Sequence, residues 1–478
     1  MDKVKITIDG QEVEVAKGTN LIEAARAVGI NIPHFCYHEG LSPDGNCRMC
    51  LVEVEKIPKP VIGCRTGATD GMVVRTNTGA VAKMRRSVME FLLVNHPLDC
   101  PTCDQAGECK LQDYYMQYDR VPVRFKETKV HKNKMVDLGR GVMLDEERCV
   151  CCTRCVRFCR EIAKKEELYV QQRGNHAMVS AFPGKPLTNH YAGCIADVCP
   201  VGAMTSKDFR YKKRVWFLSK TDSICPGCSR GCNITIEHED KTVYRLKPRK
   251  NLDVNKYWMC DFGRYDYVFL NVNRRLKPAR QESHSPVDCS YEDASGFLRA
   301  SLSGLSFSEI AFIASAKESN ENITAFADCA KDVFHADDVY YSKNDSLEPE
   351  ADDILITADK NPNMAHVKKL GLKPVSAISA AVKVVLVQRD LCTADIKHLK
   401  DRGITIAALY ATSHTIADHL SKTIFPIPTY AEQTGSFTNG DLRVQAFFKA
   451  FPPRGEARPV QEYLKDLHSL TVKLKRAG

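Results

Sequence analysis

HPLDCPTCDQAGEC, residues 96–109, sets one histidine and three cysteines in the pattern H-x3-C-x2-C-x5-C. Three thiols at this spacing leave one position open on a four-iron cubane. The neutral imidazole of His96 can fill it, removing one negative charge relative to four thiolates. A lone histidine is more often structural, but here Pro97 stiffens the approach from His96 to Cys100. Upstream, Met84, Val88, Phe91 and Leu92 are spaced for one apolar helix face, so Cys100, Cys103 and Cys109 are expected just past a helix end.

Three further cysteine sets flank this one. Downstream, RCVCCTRCVRFCREI (148–162) offers five cysteines, and GCIADVCPVGA (193–203) offers two more. Extending Cys149, Cys152 and Cys155 to Cys159 would mimic a two-cluster bacterial ferredoxin. The fourth cysteine of that pattern precedes proline, however, whereas Cys159 precedes Arg160, and the second half lacks a triplet. The simpler set is Cys149, Cys152, Cys155 and Cys199, with Pro200 turning the chain. Cys151, Cys159 and Cys194 are then buried small hydrophobes.

Upstream, Val4, Ile6 and Ile8 alternate, as do Val13 and Val15, around Asp9-Gly10, a hairpin signal. Thr19 can cap a helix carrying Leu21, Ile22, Ala25 and Val28, which Gly29 ends. Cys36, Cys47, Cys50 and Cys64 follow as C-x10-C-x2-C-x13-C, loop cysteines meeting strand cysteines around a compact two-iron core. Structural zinc is the alternative, but it usually pairs two C-x2-C knuckles and this stretch has one.

The last set is Cys225, Cys228, Cys232 and Cys260, from ICPGCSRGC and KYWMC; Gly227 and Gly231 free the backbone, and a β-rich stretch from Ile234 to Leu246 returns the chain. Beyond residue 276 the pattern stops. EIAFIAS, DDILITA and VKVVLVQ read as short strands, each followed by helix-compatible sequence, which predicts a small parallel-sheet domain. Cys289, Cys329 and Cys392 stand alone and read as bland buried cysteines.

Taken together, these motifs resemble the large iron-sulfur subunit of respiratory complex I, an NADH:quinone oxidoreductase, and its hydrogenase and formate dehydrogenase relatives. The first 80 or so residues resemble a plant-type ferredoxin, and the His96 set closely matches that family. The Cys225 spacing is similar to the entrance cluster of molybdopterin oxidoreductases, as is AEQTGSFTNGDLRVQ through Glu432, Gly435, Asn439, Arg443 and Gln445.

The resemblance implies a multidomain α+β chain. It divides into a [2Fe-2S] β-grasp ferredoxin at 1–80, a helical module with a His-ligated [4Fe-4S] cluster at 81–143 and a bacterial-ferredoxin-like [4Fe-4S] module at 144–216. A molybdopterin-oxidoreductase-type [4Fe-4S] module follows at 217–275, then a truncated molybdopterin-oxidoreductase-like α/β domain, expected to be empty, at 276–478. One [2Fe-2S] and three [4Fe-4S] clusters would relay electrons between a flavin/NADH-binding subunit and a ferredoxin-like quinone-side subunit of the peripheral arm. The expected place is the cytoplasmic face of a bacterial inner membrane. The Cys225-set cluster could be redox-active or a structural relic; retention of that set favours a bacterial source.

Composition agrees with wiring rather than catalysis. There are 21 cysteines, an odd number, with 18 of them before residue 261, which favours metal ligation over a disulfide scaffold. The formal charge of +9 invites a nucleic-acid reading. Fifteen ligating thiolates would bring about −15, however, and four oxidised cores would return about +8, leaving a holoprotein near +2. No nucleic-acid partner is expected. Nor is a membrane span, since no run of about 18 apolar residues exists. The opening MDKVKITIDGQEVEV is of strand type and predicts no signal peptide. No G-x-G-x-x-G turn, P-loop or flavin fingerprint occurs, so the chain has no visible nicotinamide or flavin site of its own. Three rivals remain: a subunit of an NAD-linked hydrogenase or formate dehydrogenase, a zinc-knuckle scaffold, and a pterin enzyme in its own right.

Overall fold

A computed structural model describes residues 2–118, 122–283 and 285–467. The chain divides into two compact units, Met1–Phe217 and Leu218–Gly478.

The first unit begins with the hairpin β1 (Lys3–Ile8) and β2 (Gln11–Ala16), closed by Asp9 and Gly10, both at positive φ, as a right-twisted two-residue turn requires. Helix α1 (Leu21–Ala27) is capped by Asn20, not Thr19: the Asn20 side chain accepts from the amides of Ile22 and Glu23, a contribution of about 1 kcal/mol. The Thr19 backbone is tied to Ala16 and Ala68, which moves the helix start one residue on. Strands β3 (Leu51–Val54), β4 (Val61–Ile62) and β5 (Val73–Arg75) complete a sheet of order β2-β1-β5-β3-β4, in which β1 and β5 run parallel. Its inward residues Ile6, Ile8, Val52 and Val54 pack on Leu21 and Ile22.

Helix α2 (Gly79–Val94) differs from expectation. It buries Val81, Arg85 and Met89; Met84, Val88 and Leu92 are half-buried, and Phe91 is 79% exposed. Arg85 is what the apolar count misses: its stem packs inward while its guanidinium reaches the Leu51 carbonyl at 3.3 Å and lies over the Tyr118 ring. After α3 (Lys110–Tyr118) come β6 (Val136–Gly139), β7 (Val142–Leu144), α4 (Arg154–Glu161), β8 (Leu168–Gln171), β9 (Met178–Ala181), α5 (Gly193–Val198) and β10 (Met204–Ser206). They form a sheet of order β10-β7-β6 and a β8-β9 hairpin.

The second unit opens with an antiparallel meander, β11 (Ser219–Ile224), β12 (Asn233–Glu239) and β13 (Thr242–Pro248), then short helices α6 (Asp261–Tyr265) and α7 (Val268–Asn271). There follow β14 (Ala279–Glu282), β15 (Ser285–Asp288), α8 (Tyr291–Leu302), β16 (Ile310–Ser315), α9 (Asn320–Asp328), β17 (Tyr340–Ser342), α10 (Met364–Lys369), β18 (Lys373–Pro374), β19 (Val384–Gln388), α11 (Thr393–Asp401), β20 (Thr405–Ala411) and β21 (Ser421–Pro426). They build an eight-stranded sheet, larger than the small domain expected, of order β15-β14-β21-β20-β19-β16-β17-β18 and parallel from β21 to β18. Both faces are covered. Phe312 and Leu386 join the core that includes Phe326, whereas their neighbours Ile313 and Val385 join the one that includes Ile396, so the strands read as continuous apolar runs. A hairpin, β22 (Gly435–Thr438) and β23 (Val444–Phe447), ends the ordered strands.

DDILITA is not a strand. The Asp352 carboxylate accepts from the amides of Ile354, Leu355 and Ile356, folding the segment into a turn that competes with sheet pairing.

Candidate metal centres

Every cysteine of the chain is a free thiol. Among the described residues no three His, Cys, Asp or Glu side chains converge on a point as a single ion requires.

Cys36, Cys47, Cys50 and Cys64 all lie in loops, correcting the expected mix of loop and strand: Cys50 immediately precedes β3 and Cys64 follows β4. The Phe35 and Cys36 amides point at the Cys47 sulfur, at 3.5 and 3.4 Å. The four thiols answer to one another. Hydrogen bonds from Cys47 and Cys64 lower Cys36, and one from Cys64 lowers Cys50; the same contacts, with burial, raise Cys47 and Cys64.

In the His96 set the end of α2 is fixed from outside. Lys129 Nζ donates to the carbonyls of Leu93, Val94 and His96 at 3.0, 2.7 and 3.0 Å, and Asn95 Oδ1 accepts from the Val130 amide at 3.0 Å. His96, Cys100, Cys103, Cys109 and Gly202 line one cavity of about 500 Å³. Burial, then the Arg148 and Lys129 charges, hold the His96 imidazole down at about 4, so it is neutral, as a ligating nitrogen must be. Burial pushes the Cys109 thiol up to about 11. An ideal Cβ on Gly202 would stand 2.2 Å from the Cys103 sulfur: the glycine keeps a hollow behind it.

Cys149, Cys152 and Cys155 curl into the start of α4, and Cys199 ends α5. Cys151 and Thr153, both at positive φ, make the curl tight, a costly conformation for residues with a side chain. Burial and the nearby Cys199 push Cys152 up to about 12, and burial with Cys152 and Cys199 lifts Cys155 as well. Cys159 and Cys194 are fully buried; Cys151 is only half-buried, its amide on the Cys149 sulfur and its thiol donating to the Ala177 carbonyl. It lies beside the set rather than packing as a plain core residue.

Cys225, Cys228, Cys232 and Cys260 surround a small cavity with Met259, Phe262 and Leu355. Cys225 follows β11, Cys232 precedes β12, and Cys260 caps α6. An added Cβ on Gly263 would sit 2.6 Å from the Cys225 sulfur. Distant residues grip this loop. Gln445 Nε2 donates to the Gly231 carbonyl at 2.9 Å, Asn439 Nδ2 to Arg230 O at 3.3 Å, and the Gly440 amide to Ser229 O at 2.7 Å. Glu432 is bound by Arg274 at 2.7 Å, both side chains nearly inaccessible. Cys329 lies in the sheet core, while half-buried Cys289 packs against that core and half-buried Cys392 caps α11.

The fit to clusters is a matter of shape and charge. In the His96 and Cys225 sets the thiols line a cavity, with Gly202 and Gly263 where a side chain would intrude, and of the sixteen candidate ligands Cys100 is exposed; such hollows suit a bulky cationic core that takes up thiolate charge.

Family comparisons match five stretches of the chain. Residues 1–79 match a 2Fe-2S iron-sulfur cluster binding domain, 85–123 the NADH-ubiquinone oxidoreductase-G iron-sulfur binding region, and 139–205 the ferredoxin-like domain of NADH-quinone oxidoreductase subunit 3. Residues 218–271 match the molybdopterin oxidoreductase Fe4S4 domain and 410–469 molybdopterin oxidoreductase itself. The chain is therefore an iron-sulfur protein of mixed α/β build, with ferredoxin-like domains ahead of molybdopterin-oxidoreductase domains.

Its relatives narrow this. The G-type NADH-quinone oxidoreductase subunit of Rickettsia bellii is 44% identical over 61% of this chain and 43% of its own length. The NADH-ubiquinone oxidoreductase 75 kDa subunit of Reclinomonas americana is 44% identical over 63% and 43%, and the mitochondrial NADH dehydrogenase [ubiquinone] iron-sulfur protein 1 of Solanum tuberosum 39% over 73% and 47%. Over these shares the chain is similar to the three NADH-quinone and NADH-ubiquinone oxidoreductase subunits, and it spans less than half the length of each. A solved chain of an NAD+-reducing [NiFe]-hydrogenase is 27% identical over 44% of this chain and 91% of its own; at a TM-score of 0.41 that overlap carries no argument. No described helix is long and apolar enough to cross a membrane.

Proposed function

We propose that this chain is an electron conduit of an NADH:quinone oxidoreductase, holding one [2Fe-2S] cluster on Cys36, Cys47, Cys50 and Cys64. Three [4Fe-4S] clusters would sit on His96, Cys100, Cys103 and Cys109; on Cys149, Cys152, Cys155 and Cys199; and on Cys225, Cys228, Cys232 and Cys260. When bound, these clusters supply one-electron transfer with little reorganisation.

The observation that carries the reading is that hydrogen bonds within the first unit link the Cys36 set to the Cys149 set and the Cys149 set to the His96 set. Arg157 donates to the carbonyls of both Cys36 and Cys152, tying the first set to the Cys149 set. The Lys110 amide, next to Cys109, donates to the Pro200 carbonyl, next to Cys199, at 2.9 Å, tying the Cys149 set to the His96 set. The protein's part is to fix this row, keep water from it and tune each step by charge. By similarity to the G-type and 75 kDa subunits, the donor is a flavin/NADH-binding subunit and the acceptor a ferredoxin-like subunit on the quinone side, both on the cytoplasmic side of the membrane.

The Cys225 set stands in the second unit, and its role there is structural or redox. The α/β part is similar to molybdopterin oxidoreductase over residues 410–469, and there Asn439 and Gln445 are engaged in bracing the Cys225 loop. The hydrogenase and formate dehydrogenase alternatives have less support, since the relatives at 39–44% identity bear complex I names.

The test is stopped-flow reduction of the anaerobically loaded chain. NADH alone should leave the cluster absorbance unchanged, and NADH with a flavin-bearing partner subunit should bleach it. Reduction by NADH alone would contradict the reading.

A further inference from the structure

Helix α4 carries two arginines one turn apart, Arg154 and Arg157, on the same face. Arg157 is 4% exposed. Its guanidinium donates to the carbonyls of Cys36 and Ser42 on one side and of Cys152 on the other, while its Nε donates to Thr153 Oγ1 at 3.1 Å. Arg154 repeats the span: it donates to the carbonyl of Tyr37, beside Cys36, and at 3.1 Å to that of Val198, beside Cys199.

All these acceptors are neutral. Among the described residues no carboxylate forms an ion pair with either guanidinium; Glu161 is taken up by Ser42 and Arg160, and Asp44 accepts from the Thr153 hydroxyl. Arg157 is buried and Arg154 half-buried, and cations so placed without a carboxylate partner are costly unless anions are supplied in another way. Oxidised clusters on four thiolates are such anions, and the Cys36 and Cys149 sets lie on either side of this pair.

We propose that Arg157, seconded by Arg154, is a positioning residue shared by two clusters: it locks the Cys36 and Cys149 loops together and, as a fixed positive charge between them, raises the reduction potential of both. The proposal rests on the conduit reading above. A cation favours the reduced, more negative state of each neighbour, so the two potentials move together and the intervening step keeps its driving force.

The experiment uses the full chain, loaded anaerobically with iron and sulfide, with Arg157→Gln and Arg157→Lys alongside. Clusters are followed by EPR during a redox titration, and iron is counted in each sample. Arg157→Gln should lower the reduced-to-oxidised ratio of both the Cys36-set and Cys149-set clusters about tenfold at a fixed ambient potential, which is 59 mV for a one-electron couple. The His96-set ratio should move less, and Arg157→Lys should restore most of the loss. Unchanged ratios at full iron content, or a shift in one cluster alone, would overturn the proposal. If Arg157→Gln sheds iron, Arg157→Lys decides: ratios within about threefold of the parent for both clusters support it, and a tenfold change in either overturns it. A parent chain that takes up no iron would sink the conduit reading first, and this inference with it.

Discussion

Gly202 and Cys103 are so close that a methyl group on the first would occupy the sulfur of the second, at 2.2 Å. Ninety-nine residues apart in sequence, they make one wall of the cavity around His96. Gly202→Ala must push Cys103 out of place, an overpacking of about 1–3 kcal/mol. The expected outcome is loss of about four iron atoms per chain from the His96 set, with the two-iron EPR signal of the Cys36 set retained.

Lys129 supports the same site from the other side. Lys129→Met removes a charged donor from three carbonyls at the end of α2 and should cost about 1–3 kcal/mol in chemical denaturation of the cluster-free chain. In the loaded chain the His96-set cluster should decay faster in air than its neighbours, as followed by EPR.

His96→Cys replaces a neutral ligand by a thiolate. A cubane should persist at a lower reduction potential, because the added negative charge disfavours the reduced state. An unchanged potential and spectrum would mean that the imidazole is not bound.

These sites were legible in sequence to the extent that they are local. Cysteines two or three residues apart declare themselves, because the loop that carries them must curl within one turn. What holds the loops is not local: Gly202 behind Cys103, Lys129 on α2, and Gln445 on Gly231 across 214 residues involve ordinary residue types whose role appears only when the chain closes. The same limit explains the misread elements. Apolar periodicity put Phe91 inside α2 because it could not foresee a buried Arg85, and DDILITA looked like a strand until the Asp352 carboxylate took its amides. Positive φ at Cys151 and Thr153 gave no warning, since neither is a residue type that favours it.

Cys329 supplies a pH test outside the metal sites. Burial, then Asp332, push its thiol from the ordinary 9.0 up to about 12. In the unfolded chain the thiol loses its proton first as pH rises, so this contribution to stability is full below pH 9 and is lost as pH climbs toward about 12. Between pH 9 and 11 the unfolding free energy of the cluster-free chain, from denaturant titrations, should fall less steeply for Cys329→Ala than for the parent, by up to about 1.4 kcal/mol per pH unit.

Elemental analysis with EPR of the anaerobically reconstituted chain tests the central claim most directly. One two-iron and three four-iron clusters require about 14 iron atoms per chain, matching acid-labile sulfide and a single two-iron signal on reduction. Recovery of zinc instead, or of iron without sulfide, would contradict the account.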